Sequence, residues 1–273
     1  MDHNGPMCKA WSKDLKLLTD QLQLQLKWNK QYIKFSVQNA KLQDLEINNQ
    51  YGRTAIVSPG NSLGYLGGGL DKHIGEVFSP NKNHKDAERF ILDGLKNGYR
   101  PPGTVKIITI PDEKLRRSVA FEKLQANSII HAPTMRSPIN LVKDLGESHA
   151  YRLIFDITWQ ILTEVDAFNK NLHIKGGDRI ETIVLPGLGT GYGKIPYEMA
   201  SKSMLAAIGI FTSHFTHEEK SVFALRYLGY KHQTLLPTPD TIPNTTFDLT
   251  KNDLVELFKF SIFNMKDFEV SSH

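Results

Sequence analysis

Residues 55–71 contain, within one short segment, several groups that could bind a ligand. These are backbone N–H groups of glycines, the side-chain amide of Asn61 and the carboxylate of Asp71. The apolar residues 55–57 predict a buried strand, which ends at Pro59-Gly60 and is followed by Asn61 and three consecutive glycines, 67–69. Because glycine has no Cβ, it accepts positive φ and lets a ligand approach the backbone. A helix is expected to begin near Asp71, so this segment would present a row of N–H groups of the kind that binds phosphate.

A second glycine-rich loop occurs at residues 187–193. It has four glycines in seven residues, follows an apolar strand predicted over 182–186, and precedes a helix with Pro196 in its first turn. Open α/β sheets bind ligands at the carboxyl edge of their strands, where two such loops would meet. A diphosphate held between the two loops is the ligand that this arrangement predicts.

Other common sites do not fit the sequence. It has no G-x-x-x-x-G-K-[ST], and the second loop is not a G-x-G-x-x-G followed by an acidic residue about twenty positions later, so P-loop and Rossmann sites are not expected. The histidines and the single cysteine show no metal-ligand spacing, so no metal and no cofactor are expected.

Four segments resemble the macro domain, an ADP-ribose-binding α/β module. They are residues 56–62, 67–71, 130–133 and 186–193, in that order. The Pro-Gly-Asn-Ser and Pro-Gly-Leu-Gly-Thr-Gly-Tyr variants are most similar to a fungal branch of ADP-ribose 1''-phosphate phosphatases. The resemblance covers about residues 36–230 and implies a three-layer α/β/α fold with a mostly parallel mixed central sheet.

The resemblance also implies a set of ligand-binding residues. Tyr192 would cover the distal ribose, and Tyr227, on a strand predicted over 222–228, would stack on adenine. The family's Gly-Asp-Ile aligns here with residues 40–42, and the lysine at the central position cannot accept a hydrogen bond from the adenine amino group. The expected set is Lys41, Leu42, Gly60, Asn61, Gly67, Gly68, Gly69, Leu70, Asp71, Pro133, Gly187, Leu188, Gly189, Thr190, Gly191, Tyr192 and Tyr227.

Asn61 and Asp71 are the candidate catalytic residues. Asn61 either caps its own loop or exchanges hydrogen bonds with the hydroxyls of a ribose. Asp71 either caps the following helix or holds and activates a water. Catalytic branches of the family often place a histidine between this asparagine and the triple glycine, and this chain has none there. His131, at the end of an apolar strand, is expected to be buried with its hydrogen bonds satisfied.

The resemblance implies hydrolysis of ADP-ribose 1''-phosphate, which tRNA splicing generates, to ADP-ribose and phosphate. Two alternatives stay open: removal of ADP-ribose from a modified protein, and ADP-ribose binding without turnover. The expected partners are ADP-ribose or its 1''-phosphate, or an ADP-ribosylated protein.

The composition of the chain limits which compartment and which partners are expected. The chain has 273 residues, 40% of them hydrophobic, one cysteine and a formal charge of +4, without an apolar run that could cross a membrane. We therefore expect a cytoplasmic or nuclear protein that binds neither membrane nor nucleic acid. Residues 1–236 are predicted to form the domain, with its core at about 32–230. Within it, leucines at three- and four-residue spacing predict a helix over 8–28, and β-forming residues predict a strand over 32–37. Residues 237–273 are predicted to form an extension with a helix over 249–263.

Overall fold

The computed structural model describes residues 4–18, 27–28, 31–47, 52–175, 178–213 and 215–230. Its helices are α1 (Gly5–Lys16), α2 (Gly69–Val77), α3 (His84–Leu95), α4 (Asp112–Leu115), α5 (Val119–Glu122), α6 (Leu141–Leu145), α7 (Glu147–Lys175), α8 (Tyr197–Thr212) and α9 (His217–Tyr227). Its strands are β1 (Lys27–Trp28), β2 (Gln31–Tyr32), β3 (Arg53–Ser58), β4 (Lys106–Thr109), β5 (Ala126–His131) and β6 (Ile180–Val184), and a 3₁₀ helix spans Leu42–Asp44.

The central sheet contains four strands in the order β4-β5-β3-β6. β3 is parallel to both β5 and β6, and β4 is antiparallel to β5. Ser58 pairs with His131 at the carboxyl ends of β3 and β5. The chain therefore leaves two neighbouring strands at the same edge of the sheet, and loops that follow these strands start side by side.

Both faces of the sheet are buried, which is why its inner strands are nearly continuous apolar runs. Alternate residues of β3 point to opposite faces: Ala55 and Val57 join a core with α1, α7, α8 and α9, and Ile56 joins a core with α2 and α3. The predicted three-layer α/β/α fold with a mostly parallel mixed sheet is confirmed.

The N-terminal predictions are wrong in their boundaries. The helix expected over 8–28 ends at Lys16, and Lys27–Trp28 is a short strand that pairs antiparallel with Gln31–Tyr32. The strand predicted over 32–37 is wrong beyond Tyr32, since residues 33–37 form no strand. The tendency of these side chains to form strands depends on their packing context, and none of the described strands pairs with residues 33–37.

Tyr227 belongs to the core and not to a ligand site. The strand predicted over 222–228 is part of helix α9, which begins with a capping box formed by Thr216 and Glu219. Tyr227 has no exposed surface, packs on the rings of Tyr151 and Phe155, and donates its hydroxyl proton to the carbonyl of Lys202 (3.1 Å). The prediction that its ring stacks on adenine is wrong.

The predicted domain boundary at residue 236 and the predicted helix over 249–263 lie outside the described residues. Among the helices that are described, none has the length and apolar character needed to cross a membrane.

Candidate functional site

Loop 1, residues 59–68, leaves the carboxyl end of β3 and is tied to the chain that leaves β5. Thr134 donates its hydroxyl proton to the carbonyl of Pro59 (2.8 Å) and its N–H to that of Gly60 (3.2 Å). The N–H of Ser62 donates to the carbonyl of Met135 (3.0 Å). These bonds extend the pairing of the two strands beyond the sheet and give loop 1 a fixed path.

Loop 1 presents a row of N–H groups at the start of α2. The N–H groups of residues 67–71 donate to no acceptor among the residues that the structure describes. The row coincides with the first turn of a helix, whose unpaired N–H groups carry partial positive charge. A Cβ added at Gly67 would meet no atom within 4 Å, so the backbone at the beginning of this row borders open space. We refer to these five groups as the N–H row.

Loop 2, residues 187–195, leaves the carboxyl end of β6 and is closed largely by its own bonds. The N–H of Ile195 donates to the carbonyl of Gly189 (3.1 Å), and the Thr190 hydroxyl donates to that of Gly187 (2.9 Å). Within the described chain, the N–H groups of residues 189–193 have no acceptor. Loop 2 therefore supplies a second set of backbone donors that an anion could use.

The two loops face each other across the ring of Tyr192. A Cβ added at Gly68 would lie 3.6 Å from the Tyr192 hydroxyl oxygen, and one at Gly69 would lie 3.8 Å from the ring. The ring itself is 61% exposed. The structure thus brings together the two glycine-rich loops that the sequence singled out, with an accessible aromatic ring between them. We refer to the space between the N–H row and loop 2 as the cleft.

Asp71 is the third residue of α2, and its carboxyl group lies beneath loop 1. The N-cap of the helix is Gly68, so of the two roles that the sequence left open for Asp71 the capping role is wrong. Instead the Ser58 hydroxyl donates to its Oδ1 (2.7 Å), and a Cβ added at Gly60 would lie 2.7 Å from its Oδ2. Burial raises the pKa of Asp71 to about 6, although the Ser58 hydrogen bond acts in the opposite direction. This carboxyl group can therefore gain or lose a proton near neutral pH.

Replacing Asp71 with asparagine should remove the loss of stability that ionisation of Asp71 causes as the pH rises. Between the unfolded pKa of 3.8 and the folded pKa of about 6, the unfolded chain ionises first, so stability falls as pH rises. The loss is complete above the folded pKa and amounts to about 3 kcal/mol at most. Asp71→Asn should therefore gain free energy of unfolding relative to the natural protein from about pH 4 to about pH 8. Urea unfolding of both proteins across this range measures the difference, and a constant difference would contradict the assigned burial.

Asn61 caps loop 1. Its Oδ1 accepts the N–H groups of Leu63 (3.0 Å) and Tyr65 (3.4 Å), and its Nδ2 donates to the carbonyl of Tyr65 (2.8 Å). Of the two roles that the sequence left open, the structure shows the loop-capping one. Its contact with a ribose stays a prediction, for which the second proton of Nδ2 is available.

The other predicted ligand-binding residues differ in whether their side chains are exposed or buried. Lys41 is exposed and precedes the 3₁₀ helix, whereas the side chains of Leu42 and Leu188 are buried in the two cores. Pro133 is buried and Leu70 is half-buried. A ligand that reaches Leu42 or Leu188 would therefore meet their backbone atoms.

His131 is buried, as predicted, but its hydrogen bonds are not satisfied. The residue is 1% exposed, and neither ring nitrogen has a hydrogen-bond partner in the described part of the chain. Burial, assisted by the charge of Arg100, lowers its pKa to about 4. His131 is therefore neutral at physiological pH and supplies no charge to the cleft.

Sequence reasoning missed two residues that shape the site. Ser58, which holds the Asp71 carboxyl group, is the last residue of β3 and had no signal beyond that position. Glu88 accepts the N–H of Leu66 (2.7 Å) from a different helix, and no local pattern announces that contact. No group of three or more potential metal ligands occurs among the described residues.

The fold and the site define an α/β protein in which two loops at one edge of the sheet present backbone N–H groups without acceptors among the described residues. The chain belongs to the Macro-like domain family, whose model matches residues 7–257. An uncharacterized protein of Aquifex aeolicus (strain VF5) is 26% identical over 156 residues, which are 57% of this chain and 73% of that protein.

Solved macrodomain structures from Oceanobacillus iheyensis are also similar to this chain. One is a mutant with ADPR, at 18% identity and a TM-score of 0.44, covering 70% of this chain and 91% of that chain. Another contains ADP, at 19% identity and a TM-score of 0.42, covering 64% of this chain and 84% of that chain.

Proposed function

We propose that the protein binds ADP-ribose, with the diphosphate between loop 1 and loop 2. The observation that carries this proposal is the pair of unpaired N–H sets that face each other across Tyr192. Diphosphate oxygens accept hydrogen bonds in several directions, so one diphosphate can engage both sets at once. Membership of the Macro-like domain family supports the same ligand class.

The sugar next to the diphosphate would lie against Tyr192. A sugar ring has apolar C–H faces, and the exposed Tyr192 ring offers a flat apolar surface at the right place between the loops. The adenine would lie toward Lys41 and the backbone of Leu42, at the 3₁₀ helix that contacts α2. Because lysine only donates hydrogen bonds, adenine recognition there would use the backbone.

The proposed reaction is hydrolysis of ADP-ribose 1''-phosphate. Water attacks phosphorus, the bond from phosphorus to the C1'' oxygen breaks, and the oxygen that leaves with ADP-ribose takes up a proton. The N–H groups of both loops would stabilise charge on the transferring phosphoryl group. Asp71, whose pKa is about 6, would hold the proton that moves, and Asn61 would orient the ribose. The substrate would connect the protein with tRNA splicing in the cytoplasm or nucleus.

Binding without turnover is the second candidate, and the environment of Asn61 favours it. All three hydrogen bonds of that amide stay within its own loop, so the amide contributes to loop shape before any ligand arrives. In a binding protein, the same loop would need only to present the N–H row.

Phosphate release from ADP-ribose 1''-phosphate tests the proposed reaction. The purified protein should release one phosphate for each ADP-ribose formed over many turnovers. A mono-ADP-ribosylated protein serves as the parallel substrate. Release of ADP-ribose from that protein, without release of phosphate from the 1''-phosphate, would replace the phosphatase with an ADP-ribosyl hydrolase. Tight binding without either product would establish the non-catalytic reader.

A further inference from the structure

Glu88 on α3 contacts the peptide that immediately precedes the N–H row. Its Oε2 accepts the N–H of Leu66 at 2.7 Å, and Gly67 is the first member of the row. Glu88 is half-buried, and no cationic side chain pairs with it among the described residues. Among the described residues, the hydrogen-bond partner of the carboxylate is therefore the backbone of loop 1.

Apolar contacts hold loop 1 against α3, but they do not determine how the Leu66 peptide group is rotated. Gly64 adopts a positive φ of 79°, and a Cβ there would lie 2.8 Å from Ile91 and 2.9 Å from Leu95. Leu66 is 1% exposed in the same core. Such contacts fix how closely the loop approaches the helix, because packing has little directional preference. A hydrogen bond is directional and fixes the rotation of the Leu66 peptide.

We infer that Glu88 is a positioning residue for the anion site. By holding the Leu66 N–H on α3, it aims the N–H groups that follow toward the cleft. Its negative charge would repel a diphosphate, so the contribution of Glu88 to binding comes from this hydrogen bond and not from its charge. The inference rests on the proposed ADP-ribose site, and its test therefore includes a measurement without ligand.

The test compares Glu88→Ala, Glu88→Gln and a control, Asp93→Ala, which removes an exposed carboxylate from the same helix. Amide hydrogen exchange is measured on the ligand-free proteins, and ADP-ribose affinity by calorimetry. Glu88→Ala should speed exchange of the Leu66 amide and raise the Kd for ADP-ribose, each by at least about tenfold, since it removes the hydrogen bond that fixes the Leu66 peptide. The control should change neither quantity.

Glu88→Gln should restore both quantities, because its amide oxygen accepts the same bond. It should bind at least as tightly as the natural protein, since the repelling charge is gone. Natural exchange at Leu66 in Glu88→Ala, or a folded Glu88→Gln as impaired as Glu88→Ala, would overturn the inference. If the natural protein fails to bind ADP-ribose, the proposed function falls, while the exchange data still decide the role of Glu88.

Discussion

Replacing Gly68 with valine should abolish ADP-ribose binding and leave the melting temperature nearly unchanged. Gly68 has an extended φ of −160°, which any residue adopts, and a Cβ there makes an ordinary contact with Tyr192 at 3.6 Å. The fold therefore tolerates the side chain, but the valine methyl groups would fill the space between the loops where the diphosphate is proposed. Loss of several charge-assisted hydrogen bonds should raise the Kd by at least about a hundredfold. Calorimetry and a melting curve on one sample measure both effects.

A valine outside the cleft provides the matched control. Gly5, at the start of α1, has similar room, since the nearest atom to an added Cβ is 3.8 Å away on Asn39. Gly5→Val should bind ADP-ribose normally. A folded Gly68→Val protein with natural affinity would show that the N–H row is not the anion site. Gly189 is unsuited to this test: its φ is +71°, and a Cβ would lie 2.6 Å from Ile195, so we expect Gly189→Glu to damage the fold.

Replacing Asp71 with asparagine should lower turnover of ADP-ribose 1''-phosphate by about a hundredfold, the scale of a lost general acid–base group. The asparagine oxygen can still accept the Ser58 hydrogen bond, so the start of α2 should keep its place. ADP-ribose affinity at about pH 8 should stay the same or increase, because a negative charge near the diphosphate is removed. Phosphate release and calorimetry separate the two effects.

Asp86 offers a close control for this substitution. It is the third residue of α3, as Asp71 is of α2, and it accepts the Ser79 hydroxyl at 2.8 Å. Asp86→Asn therefore makes the same chemical change in the first turn of a neighbouring helix, away from the N–H row, and should turn over normally. A folded Asp71→Asn protein with a natural rate would remove Asp71 from the proposed mechanism.

Loops 1 and 2 could be predicted from the sequence because the residues that determine them lie next to each other in the chain. Glycines after an apolar run mark places where the backbone needs a positive φ, as Gly69 does at 57°, or open space, as Gly67 does. Parallel strands then bring two such loops to one edge without any further information. Loops 1 and 2 face each other because β3 and β6 are neighbouring parallel strands in the sheet.

The rest of the site depends on tertiary contacts that local patterns do not carry. Glu88 reaches Leu66 only because α3 packs against loop 1, and the Ser58 hydroxyl reaches Asp71 only because α2 starts above the end of β3. The error at α9 has a different origin. Its apolar residues were read as a strand, although Thr216 and Glu219 form a capping box, which was the local signal for a helix.

Calorimetric titration of the natural protein with ADP-ribose and with AMP tests the central claim most directly. If both loops hold the diphosphate, ADP-ribose should bind with 1:1 stoichiometry. AMP, which can fill only part of the two cradles, should bind at least about tenfold more weakly, since it forgoes charge-assisted hydrogen bonds of one loop. Absence of ADP-ribose binding, or equal affinity for the two ligands, would contradict the assignment of loops 1 and 2 to one diphosphate site.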